Sequence, residues 1–346
     1  MRGSVIALID RIQQHFRRQQ RGSRELLPSL VHPSISAAVE ATVASRLGCV
    51  VTHIESVQVK GDKPDASRRK RKYMRHVLRA GAPVNRELIV FTKTGWHNES
   101  EGVERFLAEQ SVPEFRAPGF YGRAATVEGD TGIWEYMSHG LPQLMTLSRD
   151  DLRRVVRAAA AVNALTPDAV RHVPGLRVGT MYREPVADKL RAALLAEETM
   201  LQRDPSLRDA LDRFAALEAG ALARLASIGD RYFSHQDISG GNVLVGPAPA
   251  AVVILDWESA AIAAPGASLR RLERLDAETR LEAAQHYVDC LQAKGMFLEV
   301  ADVLFVMCTV NVFARLHNGA AQLSHDLKLA RKNIRSTLTR APAYLL

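Results

Sequence analysis

Residues 234–258 constrain this chain more tightly than any other stretch. Ser234-His235-Gln236-Asp237-Ile238-Ser239-Gly240-Gly241-Asn242 is a polar loop with two glycines that runs straight into the apolar Val243-Leu244-Val245. A turn holding Pro247 and Pro249 follows, and a second apolar run, Val252-Val253-Ile254-Leu255, delivers Asp256 at its end. Asp237 and Asn242 are five residues apart, and Asp256 lies nineteen beyond Asp237. A hairpin folding back over that distance brings all three side chains to one edge. An amide oxygen beside a carboxylate is a hard-oxygen pair of the kind Mg2+ takes, with water and substrate phosphates completing its shell. The remaining carboxylate is then placed to orient an attacking hydroxyl or to accept its proton.

The rest of the chain divides by texture. Residues 1–45 read as a basic helical extension, with Arg17, Arg18, Arg21 and Arg24 close together. Gly48–Ile54, Ser56–Val59, Tyr73–Arg79 and Glu87–Lys93 are short, β-branched runs that predict an antiparallel meander. The polar stretch Lys60–Asp65 reads as a turn, and the basic run Arg68–Lys72 as a solvated hairpin face or, less often, as a local field for nucleotide phosphates or an acidic acceptor. A helix is predicted over Asn98–Gln110, then strands near Gly119–Tyr121 and Thr131–Met137. Beyond a linker near Met137–Leu141 the pattern turns helical. Ser148 with Asp151 makes a capping box, Ser206 with Asp209 reads as another, and helices follow over about 277–294, 300–318 and 323–340. The expectation is an α+β chain: the extension 1–45, a β-rich N-lobe over 46–138 and a helical C-lobe over 139–346.

His-x-Asp-x-x-x-x-Asn at 235–242, followed by Ile254-Leu255-Asp256-Trp257-Glu258, resembles the catalytic and metal segments of the aminoglycoside phosphotransferase and choline kinase-like superfamily, which shares the protein-kinase fold. The resemblance implies a two-lobed fold and ATP-dependent phosphoryl transfer to a small-molecule hydroxyl. It makes Asp237 the catalytic Asp, and Asn242 and Asp256 the Mg2+ ligands, Asp256 standing where protein kinases place the Asp of Asp-Phe-Gly. His235 would hold the loop without touching substrate.

A kinase-like N-lobe also needs a strand lysine for the nucleotide phosphates and a helix carboxylate to pair with it. Lys93 ends the apolar run Leu88–Thr92, and family spacing favours Glu101 as its partner, with Glu104 second. Gly132–Met137 resembles the hinge, so Glu135 and Met137 would offer main-chain groups to the adenine. Two departures stand out. No glycine-rich phosphate loop separates the first strands, and Ser268 occupies a position where the superfamily commonly has an Asp.

Composition enters as a filter. The 346 residues carry 46 Lys and Arg against 38 Asp and Glu, a net +8 that favours an acidic or neutral acceptor over a cationic one. Acids available to a cationic acceptor are Glu184, Glu197, Glu198, Asp276, Glu278 and Glu282. No apolar run approaches the roughly 18–20 residues that span a bilayer, although the basic N-terminus suits peripheral contact with anionic lipid. Three well-separated cysteines argue against a disulfide framework and for a reducing, cytoplasmic setting. Zinc, hydrolase and nucleic-acid motifs are absent, so a partner nucleic acid is not expected. The competing reading is a non-catalytic kinase-like module that binds nucleotide or protein.

Overall fold

The structure, a computed structural model, describes residues 33–345 apart from 65–69, 96–100, 127, 138–146, 166–169, 171, 197–203, 240 and 324–325. The first 32 residues, with their arginines, lie outside the described residues, as do Arg68, Arg69, Glu99, Glu197, Glu198 and most of the expected linker.

In chain order the first elements are α1 (Pro33–Leu47), β1 (Val51–Pro64), β2 (Lys70–Ala80), β3 (Arg86–Thr94), α2 (Glu101–Ala108), β4 (Phe115–Arg116), β5 (Phe120–Thr126) and β6 (Gly129–Glu135). Then come α3 (Arg149–Asn163), β7 (Arg177–Val178), α4 (Ala187–Ala196), α5 (Pro205–Ile228), β8 (Tyr232–Ser234), β9 (Val243–Leu244) and β10 (Val252–Ile254). A 3-10 turn at Trp257–Ser259, β11 (Ala261–Ala263) and a second 3-10 segment at Ala267–Arg274 lead into α6 (Ala277–Gln292), α7 (Val300–Gln322), α8 (Leu327–Arg340) and α9 (Pro342–Leu345). The chain forms two compact units, one of Met1–Trp96 with Tyr121–Tyr136, the other of His97–Phe120 with Met137–Leu346.

The first unit is a five-stranded sheet in the order β1-β2-β3-β6-β5. Ile35, Val39 and Val43 of α1 fall on one helical face and bury against Met74, Leu78, Val90 and Ile133. The strands expected at Gly48–Ile54 and Ser56–Val59 are a single strand, which also takes in Lys60–Pro64, read in the sequence as a turn. Backbone pairing does not need apolar side chains. Register shifts between His53 and Glu55, Gln58 and Lys60, and Lys60 and Lys63 keep this polar stretch on the ladder with β2. A polar chain also runs through the sheet: His53 Nε2 to Ser56 Oγ at 2.6 Å, Ser56 Oγ to His76 Nδ1 at 2.7 Å, and His76 Nε2 to Thr92 Oγ1 at 3.0 Å.

The second unit is helical around two small sheets, β4-β10-β9 and β7-β11-β8. Ser148 caps α3 as the sequence implies, accepting from Asp151 N at 3.1 Å. For α5 the cap is Asp204 rather than Ser206: Asp204 Oδ1 accepts from Leu207 N at 3.2 Å, Pro205 opens the helix, and the Ser206 hydroxyl donates back to Asp204 at 2.7 Å. A carboxylate just ahead of a proline outcompetes a serine one position inside the helix. Arg154 of α3 donates to the carbonyls of Gly246 and Ala250, each at 2.7 Å, and so clasps both ends of the β9–β10 turn. One segment departs from the apolar-run reading. Helix α7 is long and apolar enough to cross a membrane, yet two-thirds of that stretch is buried within the unit, where it serves as a core helix.

Candidate active site

The loop 235–242 is the crossing from one small sheet to the other. Strand β8 enters it, paired antiparallel with β11 through Ser234 opposite Ala261. Strand β9 leaves it, paired antiparallel with β10 through Val243 opposite Ile254. Leu255 N donates to the Asn242 carbonyl at 2.8 Å and extends that ladder by one rung, so Asn242 stands across from the residue that precedes Asp256. The register thus brings the Asn242 backbone opposite Leu255, and the Asn242 side chain ties back to Asp237.

His235 is fully buried and fixes the loop from beneath. Its Nε2 lies 2.8 Å from the Leu255 carbonyl, an acceptor only, which assigns the proton to that nitrogen. Nδ1 then accepts from Asp237 N at 3.2 Å. Burial pushes the imidazole pKa down, against the opposing pull of the Leu255 carbonyl and of Asp237 and Asp256, and the neutral ring matches both bonds. The ring meets Trp257 edge-on at 4.6 Å, and Trp257 stacks on Phe233 at 6.1 Å. His235 is thus a positioning residue that ties the Asp237 backbone to the strand end before Asp256.

Gln236 carries no chemistry in the sequence reading, but its backbone sits at φ 60°, a region an L-residue enters at a cost of about 1 kcal/mol or more. Its buried side chain compensates. Oε1 accepts from Met181 N at 2.6 Å, and Nε2 donates to the carbonyls of Gly179 at 3.3 Å and Ser259 at 3.2 Å. Asp256 likewise has φ 62° and ψ 65°. The two strained residues flank the loop and the strand end that carry the candidate carboxylates.

Asp237 is about one-quarter exposed and accepts from three sides. Arg270 Nη2 donates to its Oδ1, Arg271 Nε donates to the same oxygen at 3.4 Å, and Asn242 Nδ2 reaches Oδ2 at 3.4 Å and the Asp237 carbonyl at 3.0 Å. With its amide nitrogen turned to Asp237, Asn242 keeps Oδ1, the hard donor atom, as its other end. Together with the exposed Asp256 this is one amide oxygen and one carboxylate. No group of three or more His, Cys, Asp or Glu among the described residues could hold a metal ion. The donor set therefore fits a Mg2+ that completes its shell with phosphates and water rather than a protein-caged metal.

The sequence does not flag Arg270 and Arg271, which follow Ser268 in the 3-10 segment. Gly266 launches that segment at φ 84°, where a Cβ would come within 3.0 Å of the Val303 carbonyl. Ser268 bonds the Ser234 hydroxyl at 2.7 Å and accepts from Gln236 N at 3.4 Å, so a neutral hydroxyl anchors the loop where the resemblance calls for an acid. Arg270 is 2% exposed; its Nε donates to the Gln236 carbonyl at 2.9 Å, and its guanidinium lies 5.5 Å from the Tyr182 ring centroid. The signal for both arginines was their adjacency to Ser268.

The remaining predicted residues sit apart from this loop in the chain. Lys93 is buried on β3, opposite Gly132 of β6 and Tyr73 of β2. On α2, Glu101 accepts from Arg105 Nη2 at 2.7 Å, whereas Glu104 is the buried carboxylate, lying on the face that carries Val103 and Leu107. Glu135 closes β6 opposite Val90, and Met137 is the second residue beyond it.

An antiparallel-sheet unit, a helical unit and an Asp–Asn–Asp loop between small sheets define a two-lobed α+β protein of the protein-kinase-like class. Residues 101–269, just under half of the chain, match the family model of the phosphotransferase enzyme family, APH. That match and the fold bear out the resemblance of the chain to the aminoglycoside phosphotransferase and choline kinase-like superfamily, and with it to kinase-type phosphotransferases that act on hydroxyl acceptors. Among solved structures it resembles choline kinase from Cryptosporidium parvum Iowa II, with a TM-score of 0.59 and 10% identity over 90% of this chain and 95% of that one. It also resembles spectinomycin phosphotransferase, APH(9)-Ia, in complex with ADP and spectinomycin, with a TM-score of 0.53 and 13% identity over 88% of this chain and 92% of that one. A macrolide 2'-phosphotransferase type I follows at a TM-score of 0.50 and 14% identity over 90% and 98%. At such identities these likenesses speak to fold. No curated protein matches the chain in sequence.

Proposed function

We propose that the protein moves the γ-phosphate of ATP to a hydroxyl of a small molecule. The observation that supports this reading is the hairpin register that sets Asn242 across from Leu255, the residue before Asp256, while the Asn242 amide bonds Asp237. Asp237 orients the acceptor hydroxyl and takes its proton. Since Arg270 and Arg271 both engage Oδ1, Oδ2 is the oxygen that receives the hydroxyl. His235 and Gln236 hold that carboxylate in place, which is where much of the rate of such a reaction originates. Asn242 and Asp256 would hold Mg2+, which neutralises phosphate charge when bound. Lys93 is proposed to contact the nucleotide phosphates, Glu104 rather than Glu101 to serve as the kinase-type helix carboxylate, and the backbone at Glu135 and Met137 to meet the adenine. The free thiols Cys49, Cys290 and Cys308 fit a reducing, cytoplasmic compartment.

Asp237→Asn is the informative variant, because it keeps a hydrogen-bond acceptor for Arg270 and removes the base. Asp237→Ala would strand a buried guanidinium, at a cost of about 3–5 kcal/mol. In the Asn variant, acceptor-dependent ADP formation is expected to fall roughly 10²–10⁴-fold with nucleotide binding retained. Unchanged turnover would overturn the assignment.

A further inference from the structure

Two buried polar systems outside the loop were possible carriers of function, and neither faces a site: the His53–Ser56–His76–Thr92 chain is a closed core network, and the Asn163–Tyr287 pair supports Gly266. The surroundings of Asp237 are different. Arg270, Arg271 and Arg274 come from the one 3-10 segment, and Arg271 and Arg274 both act on Arg270 as like charges. Arg315 of α7 and Arg340 of α8 join the same field, and Arg271 and Arg274 act on Arg315 as well. Among the described residues, Asp237 and Glu273 are the carboxylates seen paired with members of this group. Asp237 is held by Arg270 and Arg271. Glu273 is buried and already taken by Arg340 at 3.2 Å, Arg315 at 3.9 Å and Asn311 Nδ2 at 2.7 Å.

The excess is positive and partly unspent. Arg270 is 98% buried, and its Nη1 has no hydrogen-bond partner among the described residues, although Nη2 and Nε are both committed. A buried guanidinium nitrogen left without an acceptor marks a place where an anionic oxygen or a water belongs. Arg271 stays 28% exposed beside Asp237, and Arg274 is exposed.

Three of the acids that a cationic acceptor could use are engaged elsewhere. Asp276 caps α6, accepting from Thr279 N at 2.8 Å, Glu282 binds Arg153 at 2.5 Å, and Glu278 lies 3.7 Å from Arg149. Like charge at the catalytic carboxylate would also repel an ammonium group.

We infer that the acceptor is an alcohol bearing an anionic group, a phosphate ester or a carboxylate, which Arg271 and Arg274 bind beside Asp237. The inference rests on the phosphotransferase reading and names its substrate class. Arginine suits the task because its planar fork meets either oxyanion with two parallel bonds.

The test uses the full chain with saturating ADP, so that the nucleotide site is filled. Inorganic phosphate, glucose 6-phosphate, gluconate, glucose and glucosamine are titrated by calorimetry, and each sugar is also assayed as an acceptor with ATP. The anions are expected to bind at least about tenfold more tightly than glucose or glucosamine, with affinity falling as salt rises. Arg271→Gln and Arg274→Gln should each weaken phosphate binding about tenfold while leaving ADP affinity unchanged. Glucose 6-phosphate against gluconate separates a phosphate from a carboxylate preference. The inference fails if glucosamine binds as tightly as the anions, or if anion binding survives both substitutions. Arginine-dependent anion binding with no ADP formed from ATP under any condition would instead overturn the phosphotransferase reading itself, and with it the role of acceptor, while leaving the anion site in place.

Discussion

The His235 imidazole donates from Nε2 to the Leu255 carbonyl at 2.8 Å, joining the start of the Asp237 loop to the residue immediately before Asp256. Neither end of that bond touches a reacting atom. Its effect is to make the position of the candidate base and that of the candidate metal carboxylate one variable instead of two. The stacked Phe233 and Trp257 rings, 3° from parallel, brace the histidine from the side of the core.

The metal ligands come first among the expectations. Asp256→Asn and Asn242→Ala should each raise the Mg2+ concentration needed for half-maximal turnover by about tenfold or more, since affinity for a hard cation follows ligand charge and count. Titration with Mn2+, followed by paramagnetic resonance in the presence of ADP, reads the same loss without turnover. An unaltered metal requirement in both variants would remove these residues from the site.

Lys93 is expected to act on the nucleotide. Lys93→Met keeps the length and apolar stem of this buried side chain and removes its charge, so kcat/KM for ATP should drop roughly 10²-fold. Circular dichroism establishes that the β-sheet unit is intact. Equal loss for every acceptor, with binding of an anionic acceptor unaffected, is the pattern that locates the effect at the phosphates.

Ser268 is expected to matter for stability more than for chemistry. Ser268→Ala strips a buried partner from the Ser234 hydroxyl and from Gln236 N, which should cost about 1–3 kcal/mol in urea denaturation. A loss of activity far exceeding the loss of stability would mean that the hydroxyl pair has a part in the reaction itself.

His76 predicts an acid weakness in the sheet. Burial lowers its pKa from 6.5 to about 4, and like charge on His53 adds to the shift. The fold holds the neutral ring, while the unfolded chain takes up a proton below about pH 6.5. The stability contributed is therefore intact above that pH and is lost as pH falls toward 4, by about 3 kcal/mol in total. Amide exchange in β2 and β3 should accelerate across this window, and His76→Gln should flatten the dependence. Parallel pH profiles for the two proteins would rule His76 out as the cause.

Much of the candidate site was legible because it rests on local order. The hairpin that links the Asn242 backbone to Leu255 has its apolar strands and prolines standing in the sequence, and Ser148 caps its helix as its spacing requires. What stayed hidden depends on tertiary contact. Arg270 gains its meaning only when the 3-10 segment folds against the loop, and Gln236 only because its neighbours force it to φ 60°. Family spacing favours Glu101 over Glu104, whereas it is Glu104 that the folded helix buries, and only tertiary packing shows that difference. Strand β1 runs through a stretch that composition assigns to a turn, because ladder hydrogen bonds are indifferent to side-chain polarity where bulges absorb the mismatch.

The rung from Leu255 N to the Asn242 carbonyl turns sheet register into a ruler for the proposed metal ligands. Length and register are then under different constraints. Residues can be added between Gly246 and Ala250 at the expense of little beyond the Arg154 clasp, whereas one residue added within Val253–Leu255 swings Asp256 to the opposite face and separates the pair. An engineer could graft a tag or a sensor into that turn, yet could not shift the strand beside it by a single step.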